Sequence, residues 1–278
     1  MRFVKMLAAC MLALCALWTA GPALADYSVV VDDSDLSLAQ ALPKSVQTVA
    51  LFLTDRESSA DVQTVLLASI DRESGRACMT DLRTDLIAEI SQVGSIPLAK
   101  IYVLGGPNLM MKSINELLEM NVSSYVTLDV SSFVQIAESV GGMQMTLSAE
   151  EAAALGCAEG LQTLDGAQTM AYMRLPDEAD AARSHQYKAV MQLLYQGTRD
   201  KNPFALMGLA RKLMSTMTTN MGLMDMISLA TTVMGGSERE EYMLPSTTPL
   251  TATEYEGMTA YTGDWTAIRQ ELHAFLFP

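Results

Sequence analysis

The sequence predicts a layered α/β domain in which helices cover both faces of a central mixed sheet. Three observations carry this. Early apolar, β-branched segments are separated by turn residues, helical spacing sets in after Asn108, and a strand, a helix and a short alternating strand follow one another between residues 124 and 147.

In chain order, Val46 to Thr54 ("VQTVALFLT") is a mostly buried strand. Thr64 to Ile70 and Ala77 to Leu82 are two more strands, joined through "DRESGR", whose Ser-Gly is a turn signal. From Asn108, the residues Leu109, Met110, Ile114, Leu117 and Leu118 fall on one face of a helix. In "SYVTLDV" Val126, Leu128 and Val130 alternate, whereas in "SSFVQIAESVGG" Phe133, Val134, Ala137 and Val140 take helical spacing, with a serine to cap the start and Gly141 to end it. With "MQMTL" behind it, this stretch is expected to form a βαβ-like crossover. Helices are then expected over residues 182–196, from Pro203 to about Thr218, and over Leu223 to Val233. Proline suits a first turn, where its missing N–H costs nothing. Pro245 to Glu256 is expected to be a polar connection, and "WTAIRQELHAFLF" a closing helix. Many of the 21 methionines fall between residues 204 and 234. They either fill an irregular core or line a groove for a long apolar chain.

Residues 1–25 are set aside as a signal peptide. Arg2 and Lys5 precede an apolar run from Met6 to Thr19, and Ala23-Leu24-Ala25 offers a cleavage site before Asp26. Cleavage leaves a secreted or otherwise extracytoplasmic chain of about 253 residues, and retention leaves a short N-terminal anchor. Without Arg2 and Lys5 the chain keeps 16 basic residues against 32 acidic ones. A surplus of this size repels nucleic acid, so no nucleic-acid partner is expected. Cys78 and Cys157 are the cysteines left after the leader. They form one disulfide or remain two separate buried thiols.

Residues 172–186, "YMRLPDEADAARSHQ", concentrate charge as the rim of a charged-substrate site would, or as a polar loop entering a helix would. Their context favours the first reading. "INELLEMNVSSYVTLDVSSFVQIAESVGGMQM", "LQTLDGAQTMAYMR" and "YTGDWTAIRQELHAFLF" resemble, in order and spacing, segments of the LytR-CpsA-Psr family of bacterial envelope proteins, and the resemblance runs from about Val46 to Phe277. It implies residues 26–45 as an N-terminal extension and residues 46–278 as the family domain. It also implies an apolar cavity for a polyprenyl tail, expected between the sheet and the helices from 182 to 234.

The family moves a phosphorylated glycopolymer from a polyprenyl diphosphate carrier to the cell wall, with magnesium and arginines at the diphosphate. The resemblance therefore implies a glycopolymer phosphotransferase associated with the cell envelope and the membrane surface. Its partners are a polyprenyl (di)phosphate-linked glycan and peptidoglycan or another envelope polymer, and Mg2+ is its cofactor. The alternative is a catalytically impaired relative that binds lipid or glycan in a structural or regulatory role. The family also carries a label as transcriptional attenuators, against which the acidic charge and the leader argue. The motifs place Arg83 and Arg174 as catalytic and diphosphate-binding residues, His185 and Gln186 as further diphosphate contacts, and Asp61, Asp85 and Asp177 as metal ligands. The chain departs from the family where Gln63 and Thr84 replace the motif aspartates, where Pro176, Ala182 and His185 replace arginines, and where Tyr102 replaces an asparagine.

Overall fold

The computed structural model describes residues 28–57, 59–91, 93–139, 141–176, 184–198, 217–226, 228 and 239–278. The leader, Asp177, most of the two helices expected between 203 and 233, and much of the wall expected around an apolar cavity lie outside these residues.

The first strands form where apolar and β-branched residues crowd: β1 (Val46–Asp55), β2 (Ser59–Asp71) and β3 (Ala77–Leu82) pair antiparallel in succession. A small hairpin, β4 (Ile87–Ile90) with β5 (Gly94–Pro97), then leads into helix α1 (Leu98–Leu118). Strand β6 (Ser124–Asp129) lies parallel to β1, and helix α2 (Val130–Ser139) follows it directly. Next come β7 (Met143–Leu147), α3 (Ala149–Leu155), β8 (Gly160–Leu164), α4 (Gly166–Met173) and α5 (His185–Thr198). The described chain closes with β9 (Met217–Thr219), β10 (Arg239–Leu244), the hairpin β11 (Thr251–Tyr255) and β12 (Met258–Thr262), and α6 (Trp265–Leu276).

The six-stranded central sheet has the order β10-β3-β2-β1-β6-β9. Alternation along its strands builds two cores. Ala50, Phe52, Val65 and Leu67 face α1 and α6 and pack with Ile101, Met110, Ile114, Ile268 and Leu272. Their neighbours Val49, Leu53 and Leu66 face the other way, onto Phe133, Ala137, Tyr172, Met173 and Val190 from α2, α4 and α5. A strand with both faces buried reads as a continuous apolar run, as β1 does. The fold is therefore the expected layered α-β-α arrangement around a mixed sheet.

Several expectations change. The crossover is not made: β7 leaves the central sheet and pairs antiparallel with β8, so Met143, Met145 and Leu147 reach the α2 core from a separate ribbon. Helix α1 begins at Leu98 rather than near Asn108. Gly105 and Gly106 break its backbone, Gly106 at φ 64°, and Pro107 restarts it in a turn that has no use for its N–H. Gly105 also lets the N-terminal segment approach, since a Cβ there would stand 2.9 Å from the Val29 carbonyl oxygen. That segment runs parallel to α1. Val29 donates its N–H to Leu104 O, Asn108 bonds Val31 O, Asn115 bonds Leu36 O, and Ala39 donates to Met120 O.

Pro245 to Glu256 is likewise not a plain connection, because Thr251–Tyr255 is a strand. Its hairpin turns on Glu256 (φ 49°) and Gly257 (φ 81°), the positive-φ pair that matches strand twist in a two-residue loop. The helix expected to reach Thr218 does not, as Met217–Thr219 adds an edge strand to β6.

Of the two cysteine readings, the structure holds the second. Both thiols are free, Cys78 in the core facing α1 and Cys157 at the margin of the opposite core. The sheet between them prevents the close Cβ approach a disulfide needs. Protein purified without reductant and then unfolded should label at both thiols. A single labelled thiol, or none, would contradict this placement.

Candidate functional site at the carboxyl edge of the sheet

Strands β1, β3, β6 and β10 run in one direction, so their carboxyl ends share one edge of the sheet. Ligands of open α/β sheets collect outside such ends. The register sets what stands there. Thr54 of β1 lies opposite Asp129, the last residue of β6, and opposite Val62 of β2, while Val65 lies opposite Leu82 of β3. Asp129, Asp55, the start of β2 with Asp61 and Gln63, and Arg83 thus follow one another along the edge.

Arg83 leaves β3 and forms a bidentate pair with Asp85, with Nε 2.9 Å and Nη2 2.7 Å from the two carboxylate oxygens. Its guanidinium lies 4.4 Å from the centre of the Tyr261 ring. The β11–β12 hairpin supplies that ring, and Tyr261 N–H donates to Asp85 O at 3.0 Å. The hydrogen bond to Asp85 holds the Arg83 charge more firmly than usual, against the cost of its burial. Beside it, Thr84 Oγ1 donates to Gln63 O at 3.5 Å, so the two positions that lack the motif aspartates meet each other.

Lys100, in the first turn of α1, reaches the same edge. Its ammonium lies 3.6 Å from Asp61 and 3.4 Å from Glu256 at the tip of the β11–β12 hairpin. Desolvation works against its charge, but these carboxylates more than compensate and raise its pKa.

Arg174 caps the end of α4 and reaches across to β1. Its Nε and Nη2 each lie 2.7 Å from an oxygen of Asp55, and Nη2 lies 3.0 Å from Glu57. Asp55 is buried, with its side chain 5% exposed. The Arg174 pKa is raised, first by Asp55 and then by Glu57. On the neighbouring strand, burial opposes the charge of Asp129, but Ser131 and the Arg56 N–H donate to its carboxylate and hold its pKa below the usual range.

The structure therefore brings Arg83, Arg174, Asp61 and Asp85 to one edge in three ion pairs: Arg83 with Asp85, Lys100 with Asp61, and Arg174 with Asp55. Among the described residues no three His, Cys, Asp or Glu side chains form a metal-binding group. His185 and Gln186 lie elsewhere. His185 is buried, its Nε2 3.2 Å from Glu151 and its ring packed edge-on against Tyr172. Gln186 donates its amide to Met173 O at 2.8 Å. Tyr102, at the asparagine position, is buried and donates its hydroxyl to Thr127 Oγ1.

Sequence reasoning passed over Asp55, Asp129 and Lys100. The available signal was an aspartate closing each of two otherwise apolar strands, "LFLTD" and "VTLD".

Comparisons with known proteins agree with this architecture. TagT from B. subtilis, in a structure described as bound to LI-WTA, superposes with a TM-score of 0.72 at 18% identity, over 89% of this chain and 99% of that one. A structure described as the LytR-CPS2A-psr family protein YwtF (TagT) with bound octaprenyl pyrophosphate lipid gives 0.69 at 18% identity, with the same coverage of 89% and 99%. B. subtilis TagV gives 0.67 at 15% identity, over 84% of this chain and 98% of that one. No curated protein matches in sequence. The sequence profile described as the LytR_cpsA_psr family matches residues 31–274, nearly the whole described fold, and the chain belongs to the LytR-CpsA-Psr family.

Proposed function

We propose that the carboxyl edge of the sheet binds the phosphates of a polyprenyl (di)phosphate-linked glycan, and that the protein transfers the phosphorylated glycan to an envelope polymer such as peptidoglycan. The observation that carries this reading is the arrival of Arg83, Lys100 and Arg174 from three separate elements at one edge. Guanidinium groups match phosphate oxygens in pairs, and an ammonium adds a point charge. The neighbour with bound octaprenyl pyrophosphate supports the choice of ligand class.

In the transfer, an acceptor hydroxyl attacks the phosphorus that carries the glycan. The bond to the bridging oxygen of the diphosphate breaks, polyprenyl phosphate departs, and the hydroxyl proton is released. Most of the catalytic work in such a step is positioning and neutralising charge on the phosphate oxygens. Arg83 and Lys100 would hold the departing phosphate, and Arg174 the phosphate that keeps the glycan. Magnesium would be held by Asp61 with phosphate oxygens and water, adding positive charge there, because this cation retains several waters and needs few carboxylates. An exported chain, cleaved before Asp26 or anchored by its leader, would meet these substrates in the envelope.

A second reading keeps binding without transfer. Its specific support is the pairing of Thr84 with Gln63, which leaves neutral side chains at both departed aspartates.

Calorimetric titration of octaprenyl diphosphate into the purified protein tests the shared part. Loss of charge-assisted donors in Arg83→Ala or Lys100→Ala should weaken binding roughly 10- to 100-fold. Unchanged affinity in both variants would remove the site. Magnesium-dependent release of polyprenyl phosphate from a glycan-linked donor then separates transferase from binding protein.

A further inference from the structure

Arg174 reaches the carboxyl edge of the sheet from the end of α4. Glu151, in the first turn of α3, gathers groups from two neighbouring helices. Its Oε1 lies 3.5 Å from the Tyr172 hydroxyl on α4, 3.2 Å from His185 Nε2 and 3.7 Å from Lys188 Nζ on α5. Its other oxygen accepts the Ser148 N–H at 2.8 Å, one half of the box that caps α3. The carboxylate is 15% exposed. Burial opposes its charge, yet the Ser148 N–H, Lys188 and His185 together hold its pKa below the usual range.

Tyr172 stands two residues before Arg174 and is 1% exposed, and its ring meets that of His185 edge-on at 5.1 Å. A second tie lies alongside, where Gln186 donates to Met173 O, the carbonyl immediately before Arg174. The backbone that delivers the guanidinium to Asp55 is thus clamped from behind by one carboxylate and one amide, neither of which shares a hydrogen bond or ion pair with Asp55 or Glu57. Displacements of about an ångström are enough to weaken a site of this kind.

We infer that Glu151 is a positioning residue for Arg174: by joining Tyr172 to His185 and Lys188 it sets the α4 terminus from which Arg174 engages an anionic ligand. This rests on the reading of Arg174 as a phosphate contact. It assigns the replacement of arginine by histidine at 185 a structural meaning, since the imidazole turns to Glu151.

A double-mutant cycle tests the inference, with calorimetry of octaprenyl diphosphate on the full chain. Glu151→Leu should weaken binding about tenfold and Glu151→Gln, which keeps shape and one acceptor oxygen, about threefold. In an Arg174→Gln background neither change should weaken binding further. Ser148→Ala removes the hydroxyl that accepts the Glu151 N–H and loosens the same helix, but it leaves the Glu151 carboxylate its contacts with Tyr172, His185 and Lys188, so its affinity should stay within about twofold of the parent. Equal losses with and without Arg174, or an equal loss in Ser148→Ala, would overturn the inference and leave Glu151 a structural residue. Should Glu151→Leu not fold, the glutamine variant alone carries the cycle. A parent protein that does not bind the lipid removes the site reading together with the inference, whereas binding by the parent with additive losses removes the inference alone.

Discussion

Replacing Arg174 with methionine is expected to cost about 2 kcal/mol of folding stability as well as anion binding. The loss does not come from the arginine, which is about one-third exposed, but from Asp55, whose side chain is 5% exposed and would be left without its paired donors. Stranding one member of a buried pair costs about 3 to 5 kcal/mol, and the exposure of Arg174 reduces that here. Removing both charges, in Arg174→Met with Asp55→Asn, should recover most of the stability and none of the binding, because a pair deleted together leaves nothing unsatisfied. Urea unfolding of the single and double variants gives the comparison. A double variant as unstable as the single one would show that the pair does not act as a unit.

Glu271 on α6 is expected to dominate the acid side of the stability profile. Its carboxylate accepts the N–H groups of Ser246, Thr247 and Thr248 and the hydroxyls of Thr248 and Tyr242. Burial alone would favour the neutral acid, but these donors outweigh it and pull the pKa down to about 2. Burial, followed by the neighbouring carboxylate, pushes the Tyr242 hydroxyl up to about 12. A carboxyl whose folded pKa lies below its unfolded value stabilises fully above the unfolded value, near 4.5, and loses that contribution as the pH falls towards 2. Discounted for partial exposure, the contribution is about 2 kcal/mol. Glu271→Gln should therefore lose about that amount at pH 7 and show a flatter decline between roughly pH 4.5 and 2. Parallel acid limbs in parent and variant would refute the assignment.

Where burial alone decides an element, the sequence is legible. β1 and β3 follow from apolar, β-branched runs, and α2 and α6 from their helical spacing. Elements decided by partner choice are less so. "MQMTL" alternates equally well for a central strand or for a ribbon, and only β8 as a neighbour selects the ribbon. "TATEY" is polar because it lies on an exposed hairpin, and polarity hides the strand.

The site divides in the same way. Arg83 and Arg174 stand out through the motifs around them. Asp55 and Asp129 look like ordinary polar strand ends until β1 and β6 are laid parallel, and Lys100 acquires meaning only when α1 starts ten residues earlier than its apolar stripe suggests. His185 and Gln186 are expected as diphosphate contacts, but their side chains point to Glu151 and Met173 O, a choice that local sequence does not express.

Each of the three cations at this edge already carries an anion from its own chain: Asp85 on Arg83, Asp61 and Glu256 on Lys100, Asp55 and Glu57 on Arg174. A phosphate bound as proposed would therefore enter by exchange rather than by filling a bare positive pocket. Glu57 and Glu256 are 67% and 64% exposed and sit on hairpin turns, so they are the partners that can swing away, while Asp55 stays. The protein thus supplies its own counterions. Displacing a tethered carboxylate releases no ion into solution, so affinity for an anionic lipid should fall less steeply with added salt than three arriving cations would suggest.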